Sequence, residues 1–511
     1  MGQFNRNVWA NLLGNSWVAL TNFAFIPLYI HFLGIEAYGL IGIFATLQAV
    51  FSILDMGLSG TLNREMARLS VLPEGSQKLR NLLRTLEVVY WGVAILIGII
   101  TCALAPLIAH HWVHADHLSP GLVQQTIMIM GLALAFQCPY ALYSGGLLGL
   151  QRQLLLNGIL VGIATIRSVG IVAILWLVSP TIQAFFICQI AISGLQTFLV
   201  NKALWGSLPT TGRKAAFTKE LFRDIWRFAA GLSGITIMTV ILTQMDKIIL
   251  SKLVTLEKFA YYTLASAVAM SLSRLISPVF NATYPRLTQL VALEKQEELK
   301  QFYHRTCQLM SVFIIPIAVI GALFAPELLL LWTRNPAIVA NTHTVLSLLI
   351  IGTALNGLMN IPYALQLAHG WTRLSFYTIV LATIILLPLL FFITWRYGLV
   401  GAATVWVLLN GGYVLIVMQI MHRYLLRGEL WRWYLEDIGL PLVAALPVAA
   451  LGRGLIGPHL ATANLIVSLV ILSLATVTAA IFASKYTRGW LVTRIVKLKL
   501  LRSLRVMLYG K

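Results

Sequence analysis

Arg167 lies near the middle of an apolar stretch that runs from about residue 154 to residue 178. A charge at the centre of such a stretch is costly in a lipid bilayer, so it is expected to serve a function. A guanidinium binds phosphate or carboxylate oxygens through two parallel hydrogen bonds. We therefore expect Arg167 to bind an anionic group of a substrate. A structural ion pair with a neighbouring helix is the alternative.

Four further charges lie inside apolar segments. Asp55 and Arg274 lie toward the same predicted membrane face, where they would form a gate salt bridge or support packing. Asp246 would bind a coupling proton or cation, or pair with a buried arginine. Adjacent residues on a helix do not face each other. Lys247 therefore need not pair with Asp246, and we expect it to extend outward.

Basic residues also mark the predicted exits of two helices. Arg64, with its neighbours Glu65 and Arg68, and Arg286 would line a basic vestibule, or they are ordinary loop charges. Histidines recur in the run 110–117, but we regard metal binding there as the weaker interpretation.

Motifs of known catalytic chemistry do not occur in the sequence. It has no G-x-x-x-x-G-K-[ST] phosphate loop, no G-x-S-x-G elbow and no H-E-x-x-H pair. We expect no catalytic residue, resident metal or cofactor, and no enzyme activity. Transport would be driven by an H⁺ or Na⁺ gradient or by the imbalance of the substrate itself.

Composition shows which solvent surrounds these residues. Of 511 residues, 59% are hydrophobic and 11% are charged, whereas soluble domains are about 25% charged. The formal net charge is +20, which in a soluble protein would suggest nucleic acid. In a membrane protein the same excess belongs to the cytoplasmic loops, and we expect no nucleic-acid partner. The four cysteines show no spacing typical of a disulfide framework or a zinc site.

Fourteen segments have the roughly 20 apolar residues that a spanning helix needs. The sequence predicts them at 8–32, 37–60, 82–108, 121–149, 154–178, 180–201, 228–251, 257–281, 306–330, 338–366, 374–395, 398–421, 435–452 and 463–484. The segment 435–452 contains Pro441 and Pro447 and is the weakest of them. The first segment has no cleavage site after it, so we interpret it as a retained helix.

The basic residues are unequally divided between the two predicted faces. With the N-terminus in the cytoplasm, 29 Lys and Arg residues lie on that side, 5 lie opposite and 3 lie within spans. This asymmetry follows the positive-inside rule and predicts that both termini are cytoplasmic.

Two stretches 223 residues apart resemble each other, 33–39 and 256–262, and both connect the first two helices of a six-helix set. Equal orientation of the copies predicts two parallel lobes about an axis along the membrane normal, the arrangement of many transporters. We assign residues 1–205 to an N-terminal lobe and 206–227 to a basic connector. Residues 228–430 form a C-terminal lobe, followed by helices 13 and 14 (431–484) and an interfacial tail (485–511).

The helix 1–2 region carries a family resemblance. The stretches 33–40, 54–58 and 62–65 resemble the first two helices of the polysaccharide (Wzx-type) flippases of the multidrug/oligosaccharidyl-lipid/polysaccharide exporter superfamily. The stretches 244–248 and 284–287, the chain length and the helix count are also similar to that superfamily.

The resemblance implies a flippase of the bacterial inner membrane. Such a protein moves undecaprenyl-pyrophosphate-linked oligosaccharides to the outer leaflet by alternating access, for O-antigen, capsule or exopolysaccharide synthesis. It also implies that Arg167, Arg274 and either Arg64 or Arg286 meet pyrophosphate or acidic sugars. A polysaccharide polymerase and chain-length proteins are the protein partners to consider. A lipid II flippase, a multidrug cation antiporter and a non-transporting scaffold for glycan-assembly enzymes remain alternatives.

Overall fold

A computed structural model describes residues 3–70, 75–210, 212–456 and 462–489 of the chain. Within these ranges the backbone is almost entirely helical, and the one isolated β-bridge there joins His114 to Thr255. A helix satisfies its backbone N–H and C=O groups internally, as hydrocarbon surroundings require. The all-α fold predicted from the sequence is confirmed.

The chain divides into two compact units, Met1–Thr263 and Leu264–Lys511. The first unit contains α1 Gln3–Ala24, α2 Ile26–Leu33, α3 Ile35–Phe51, α4 Leu58–Leu69, α5 Gly75–Leu107, α6 Pro120–Gly149, α7 Gln153–Leu177, α8 Ile182–Ser207 and α9 Lys219–Leu253. Helix α10, Leu256–Ala292, begins in the first unit and continues into the second. The second unit further contains α11 Gln296–Leu323, α12 Ala325–Thr333, α13 Pro336–Leu358, α14 Asn360–Ala368, α15 Thr372–Gly412, α16 Met418–Tyr424, α17 Leu430–Arg432, α18 Leu440–Leu455 and α19 Thr462–Ala483.

Several of these helices are joined by short stretches of altered winding. One 3₁₀ turn follows α3 at Ser52–Asp55. Wider π-helical turns occur at Ile108–Trp112, Tyr413–Val417 and Trp433–Gly439. Such turns interrupt the regular hydrogen-bond ladder and are frequent at functional or kinked positions.

Local sequence explains where helices begin. The Ser119 hydroxyl accepts the Leu122 N–H at 3.3 Å before α6. The Asn335 side chain accepts the Ala337 N–H at 3.0 Å before α13. In both cases a proline follows at the first helical position, where its missing N–H costs nothing.

Twelve helical stretches in the described part of the chain are long and apolar enough to cross a membrane. They are Leu13–Leu33, Ile35–Asp55, Gly75–Trp112, Pro120–Gly149, Gln153–Leu177, Ile182–Ser207, Leu256–Ala292, Gln296–Leu323, Pro336–Ala368, Arg373–Tyr424, Leu430–Leu455 and Thr462–Ala483. The predicted count of fourteen is therefore not confirmed. The difference arises at two places.

The first place is α9, which contains the predicted segment 228–251 but is not among the twelve; its side chains at 224–236 lie outside the described residues. The second is Arg373–Tyr424, whose 52 residues contain two predicted segments. A straight helix of that length would measure about 78 Å, against a hydrocarbon core of about 30 Å. Gly398 breaks it with φ 58° and ψ −133°, so the stretch is two helices.

The proline-containing segment 435–452 does form a candidate span, Leu430–Leu455. Pro441 occupies the first turn of α18, where proline is tolerated. Pro447 lies inside the helix. The π-helical turn Trp433–Gly439 precedes them, so this span begins with irregular winding.

In the first unit, α4 is an amphipathic helix whose apolar face is buried. Its residues Leu58, Leu62, Met66 and Leu69 recur at helical spacing and join a buried cluster formed with α5, α6 and α8. The backbone of α4 approaches α6 so closely that a side chain at Gly149 would meet the Asn63 carbonyl. This contact positions the turn that precedes α4.

In the second unit, the last two helices pack against α11. Leu465 and Leu472 of α19 and Ala449 of α18 share a buried cluster with Ile320 of α11 and with Phe324. The four cysteines of the chain are all free. The lobe boundaries and the two-fold relation between the lobes stay predictions, and the interfacial tail lies outside the described residues from 490 onward.

Substitution of Gly398 by any residue with a side chain is expected to destabilise the protein. Gly398→Ala should lower the free energy of unfolding by about 1–3 kcal/mol, because only glycine adopts this backbone conformation without strain. Thermal unfolding of the purified protein in detergent measures this. The matched control is Gly411→Ala, a helical glycine with open space around it. Equal melting temperatures for the two variants would contradict the expectation.

Candidate functional site

Arg167 lies in α7 with its side chain partly buried. Its Nη2 donates a 2.6 Å hydrogen bond to Oε1 of Gln196 in α8. Its Nε is buried and has no hydrogen-bond partner among the described residues. The guanidinium therefore keeps donor capacity that the surrounding protein does not use.

The polar side chains close to Arg167 in the described part of the first unit include Tyr29, Tyr140 and Cys188, none of which is a carboxylate. The charge is thus held by neutral polar partners. An arginine at a helix centre costs about 2.5–3.5 kcal/mol on insertion scales. Because the partner that holds the guanidinium is the neutral Gln196, a bound anion is favoured over a structural ion pair as the reason for the residue.

Asp55 ends the 3₁₀ turn that follows α3, so the predicted continuous helix 37–60 is broken there. One carboxylate oxygen accepts a short hydrogen bond from the hydroxyl of Tyr90 in α5. The other accepts the Ser59 hydroxyl at 2.8 Å. Asp55 belongs to the first unit and Arg274 to the second, so their gate pairing stays a prediction.

Asp246 and Lys247 lie close together in α9. The Lys247 ammonium is 3.6 Å from one Asp246 oxygen and 3.4 Å from the Thr243 carbonyl. The other Asp246 oxygen accepts the Tyr262 hydroxyl at 2.6 Å. The Lys247 side chain is only 15% exposed. Its ammonium thus lies near the preceding turn and the carboxylate, and the outward extension of Lys247 and its role in coupling or gating stay predictions.

The remaining predicted basic residues are exposed. Arg64 donates to Glu65 at 2.8 Å. Arg286 lies 3.9 Å from Glu298 and donates to Gln289 at 3.3 Å. The Arg274 side chain is exposed. Their roles in binding stay predictions, since exposed ion pairs form readily and contribute little stability.

Glu87 in α5 is a buried carboxylate that our sequence reasoning missed. One oxygen accepts Tyr143 at 2.7 Å and Asn201 at 2.9 Å, and the other accepts Arg84 at 2.7 Å. Its position inside the predicted segment 82–108 was enough to identify it as a charge within a membrane span. Because its oxygens are well supplied with donors, Glu87 fits a structural role that joins α5, α6 and α8.

His304 in α11 is the second group missed, and it is completely buried. Its Nδ1 lies 2.5 Å from an Asp437 oxygen, and its Nε2 lies 3.1 Å from a Glu429 oxygen. The other Asp437 oxygen accepts Gln308 at 3.0 Å. Ser484 donates to Gln308 at 2.7 Å, which extends the network past the end of α19. Since the partners lie far apart in sequence, only folding reveals this network.

Among the residues that the structure describes, no group of three or more His, Cys, Asp or Glu side chains is arranged so that it could hold a metal ion. Near the histidine run 110–117, the buried Glu36 side chain instead accepts the backbone N–H of His117 at 3.1 Å. That carboxylate ties the beginning of α3 to the loop after α5.

Removal of His304 is expected to destabilise the second unit. His304→Leu should lower the free energy of unfolding by about 3–5 kcal/mol, because it leaves the completely buried Asp437 carboxylate without its histidine partner. Addition of Asp437→Asn should recover part of that loss, because it removes the unpaired buried charge of the Asp437 carboxylate. Thermal unfolding in detergent measures both variants, and a double variant less stable than His304→Leu alone would contradict the expectation.

A sequence model of a family described as "Polysaccharide biosynthesis protein" matches residues 4–291, more than half of the chain. The MatE family model matches residues 232–392. A Shigella flexneri protein named as an O-antigen transporter is 25% identical over 190 residues, which is 37% of this chain and 44% of that protein. The match thus spans less than half of the relative's length.

Solved structures with the same fold cover most of the chain. A lipid II flippase, MurJ, in an inward closed conformation matches with a TM-score of 0.67 at 15% identity, covering 92% of this chain and 97% of the other. An inward-facing multidrug resistance MATE family transporter of the MOP superfamily matches with a TM-score of 0.63 at 14% identity, covering 82% and 96%. At these identities the likeness shows the fold.

Proposed function

Because this chain belongs to the polysaccharide biosynthesis protein family of the multidrug/oligosaccharidyl-lipid/polysaccharide exporter superfamily, we propose that it flips an undecaprenyl-pyrophosphate-linked oligosaccharide across the bacterial inner membrane. The chain is a multi-pass membrane transporter and not an enzyme. The proposed direction is from the cytoplasmic to the outer leaflet, by alternating access, for surface polysaccharide synthesis. A polysaccharide polymerase and chain-length proteins are the proposed partners.

The observation that carries this proposal is the uncompensated guanidinium of Arg167. It lies in the span Gln153–Leu177 and is held by Gln196 instead of a carboxylate. A buried charge with spare donors favours an anionic ligand, and pyrophosphate and sugar carboxylates both offer paired oxygen acceptors. A cationic drug would be repelled by this site.

Energy coupling is the second part of the proposal. Asp55 and Asp246 are carboxylates in or beside apolar segments, and each accepts a tyrosine hydroxyl. Either would take up a proton, or sodium with oxygen ligands from its surroundings, during the cycle. Transport in vesicles with an imposed proton or sodium gradient distinguishes the two ions.

Substitution of Arg167 is expected to reduce transport of an anionic substrate. Arg167→Ala should lower the rate in proteoliposomes at least about 30-fold, which corresponds to about 2 kcal/mol. Arg167→Lys should lie between Arg167→Ala and the unchanged chain, because an ammonium keeps the charge but lacks the planar fork. The assay compares lipid-linked oligosaccharide with lipid II and a cationic drug.

The control for this assay is Arg427→Ala, which alters an exposed arginine in the turn after α16, whose Nε donates to the nearby Arg423 carbonyl. Equal transport rates for Arg167→Ala and Arg427→Ala would contradict the proposed role of Arg167 in binding the substrate. Transport of lipid II or the drug in preference to the oligosaccharide would contradict the proposed substrate.

The membrane orientation has its own test. In a chain without the four native cysteines, we introduce one cysteine at Thr210, in the predicted cytoplasmic connector, or at His117, on the opposite predicted face. A membrane-impermeant thiol reagent added to intact cells should label the His117→Cys chain and leave the Thr210→Cys chain unlabelled. The reverse pattern would overturn the proposed cytoplasmic termini.

A further inference from the structure

The second membrane span is followed by an abrupt change in backbone direction. After the 3₁₀ turn Ser52–Asp55, Met56 has φ 46° and Gly57 has φ 72°. Both residues have the left-handed backbone conformation. Methionine, unlike glycine, adopts this conformation only with steric strain. Helix α4 then begins at Leu58, so the change in backbone direction takes place at two adjacent residues, Met56 and Gly57.

The helices on the two sides of this turn share some neighbours and differ in others. On one side, α3 approaches the beginning of α10, where Leu256 contacts Gly39 and Thr263 contacts Gly42. On the other side, α4 lies against α6 with close backbone contact at Gly149. Helices α6 and α9 each contact both α3 and α4. Because α4 is held against α6 by close backbone contact, a movement of α3 relative to α4 would be absorbed at Met56 and Gly57.

The Asp55 carboxylate connects the two sides. It is the last residue before the turn, and its oxygens bind Ser59, in the first turn of α4, and Tyr90 of α5. Tyr90 is 3% exposed and belongs to the same buried cluster as the apolar face of α4. The carboxylate thus ties the end of the span to the packed core by way of two hydroxyl donors.

We propose that Met56 and Gly57 form a hinge between the second membrane span and α4, and that the hydrogen bond from Tyr90 to Asp55 latches this hinge. When the bond forms, the span end is held against the core of the first unit. When it breaks, the span rotates about two residues without disturbing the packing of α4. The coupling of this hinge to transport rests on the proposed function, whereas the hinge and latch do not.

Hydrogen–deuterium exchange of the full chain in nanodiscs, without substrate, tests the latch directly. Tyr90→Phe and Asp55→Asn each weaken the bond with little change in volume. We expect amides in the peptide 55–61 to exchange about tenfold faster in either variant, because one hydrogen bond fewer holds the closed hinge. The unchanged chain supplies the reference rate.

The matched control is Tyr143→Phe. Tyr143 belongs to the same buried cluster as Tyr90, and its hydroxyl donates to a different carboxylate, that of Glu87. It should leave exchange of the peptide 55–61 unchanged. Unchanged exchange in both Tyr90→Phe and Asp55→Asn would overturn the latch. An equal rise in Tyr143→Phe would also overturn it, since general loosening of the core would then explain the effect.

Transport assays of the same variants test the coupling separately. Tyr90→Phe should slow oligosaccharide transport at least threefold, and Tyr143→Phe should not. Faster hinge exchange with unaltered transport would overturn the coupling while the latch stands. Failure of the unchanged chain to transport the oligosaccharide would overturn the proposed function and leave the exchange result intact.

Discussion

Hydrocarbon offers no hydrogen-bond partner, and the rest of this structure depends on that constraint. Every membrane span must bond its own backbone, and the described chain is helical almost throughout for this reason. At one interruption of the regular ladder, a side chain supplies a hydrogen bond. At the π-helical turn Tyr413–Val417, the hydroxyl of Tyr434 donates to the Val414 carbonyl at 2.7 Å.

The same constraint governs the buried charges. Glu87 accepts donors from several helices and Asp437 accepts two side chains of α11, so each carboxylate joins elements that are distant in sequence. Arg167 differs, because neutral groups hold it and one of its donors is unused. The proposal of an anionic substrate rests on this difference between Arg167 and the two carboxylates.

Movement is the other requirement of a transporter, and rigid packing limits where it can occur. The apolar face of α4 is buried in the core of the first unit, whereas the span before it ends at a left-handed turn. At Gly398 a similarly unusual backbone joins two apolar helices. At both positions the change in backbone direction is confined to one or two residues.

Hydropathy and charge by themselves determined the class of this protein. Apolar segments of spanning length follow from composition, and most of the predicted ends lie near those observed, including the proline-containing span Leu430–Leu455. The mid-span position of Arg167 was also readable, because a single charge stands out in an apolar run. The family resemblance of the helix 1–2 region agrees with the match over residues 4–291.

Only the tertiary structure decided what each charge touches. The break at Asp55 was invisible to hydropathy, since Met56 and Gly57 are as apolar as their neighbours. Lys247 turned back toward Asp246, and His304 met two carboxylates more than a hundred residues away in sequence. Sequence reveals the cost of placing a charge in hydrocarbon, which depends on local surroundings. The partner that offsets the cost comes from another helix, and its identity depends on packing.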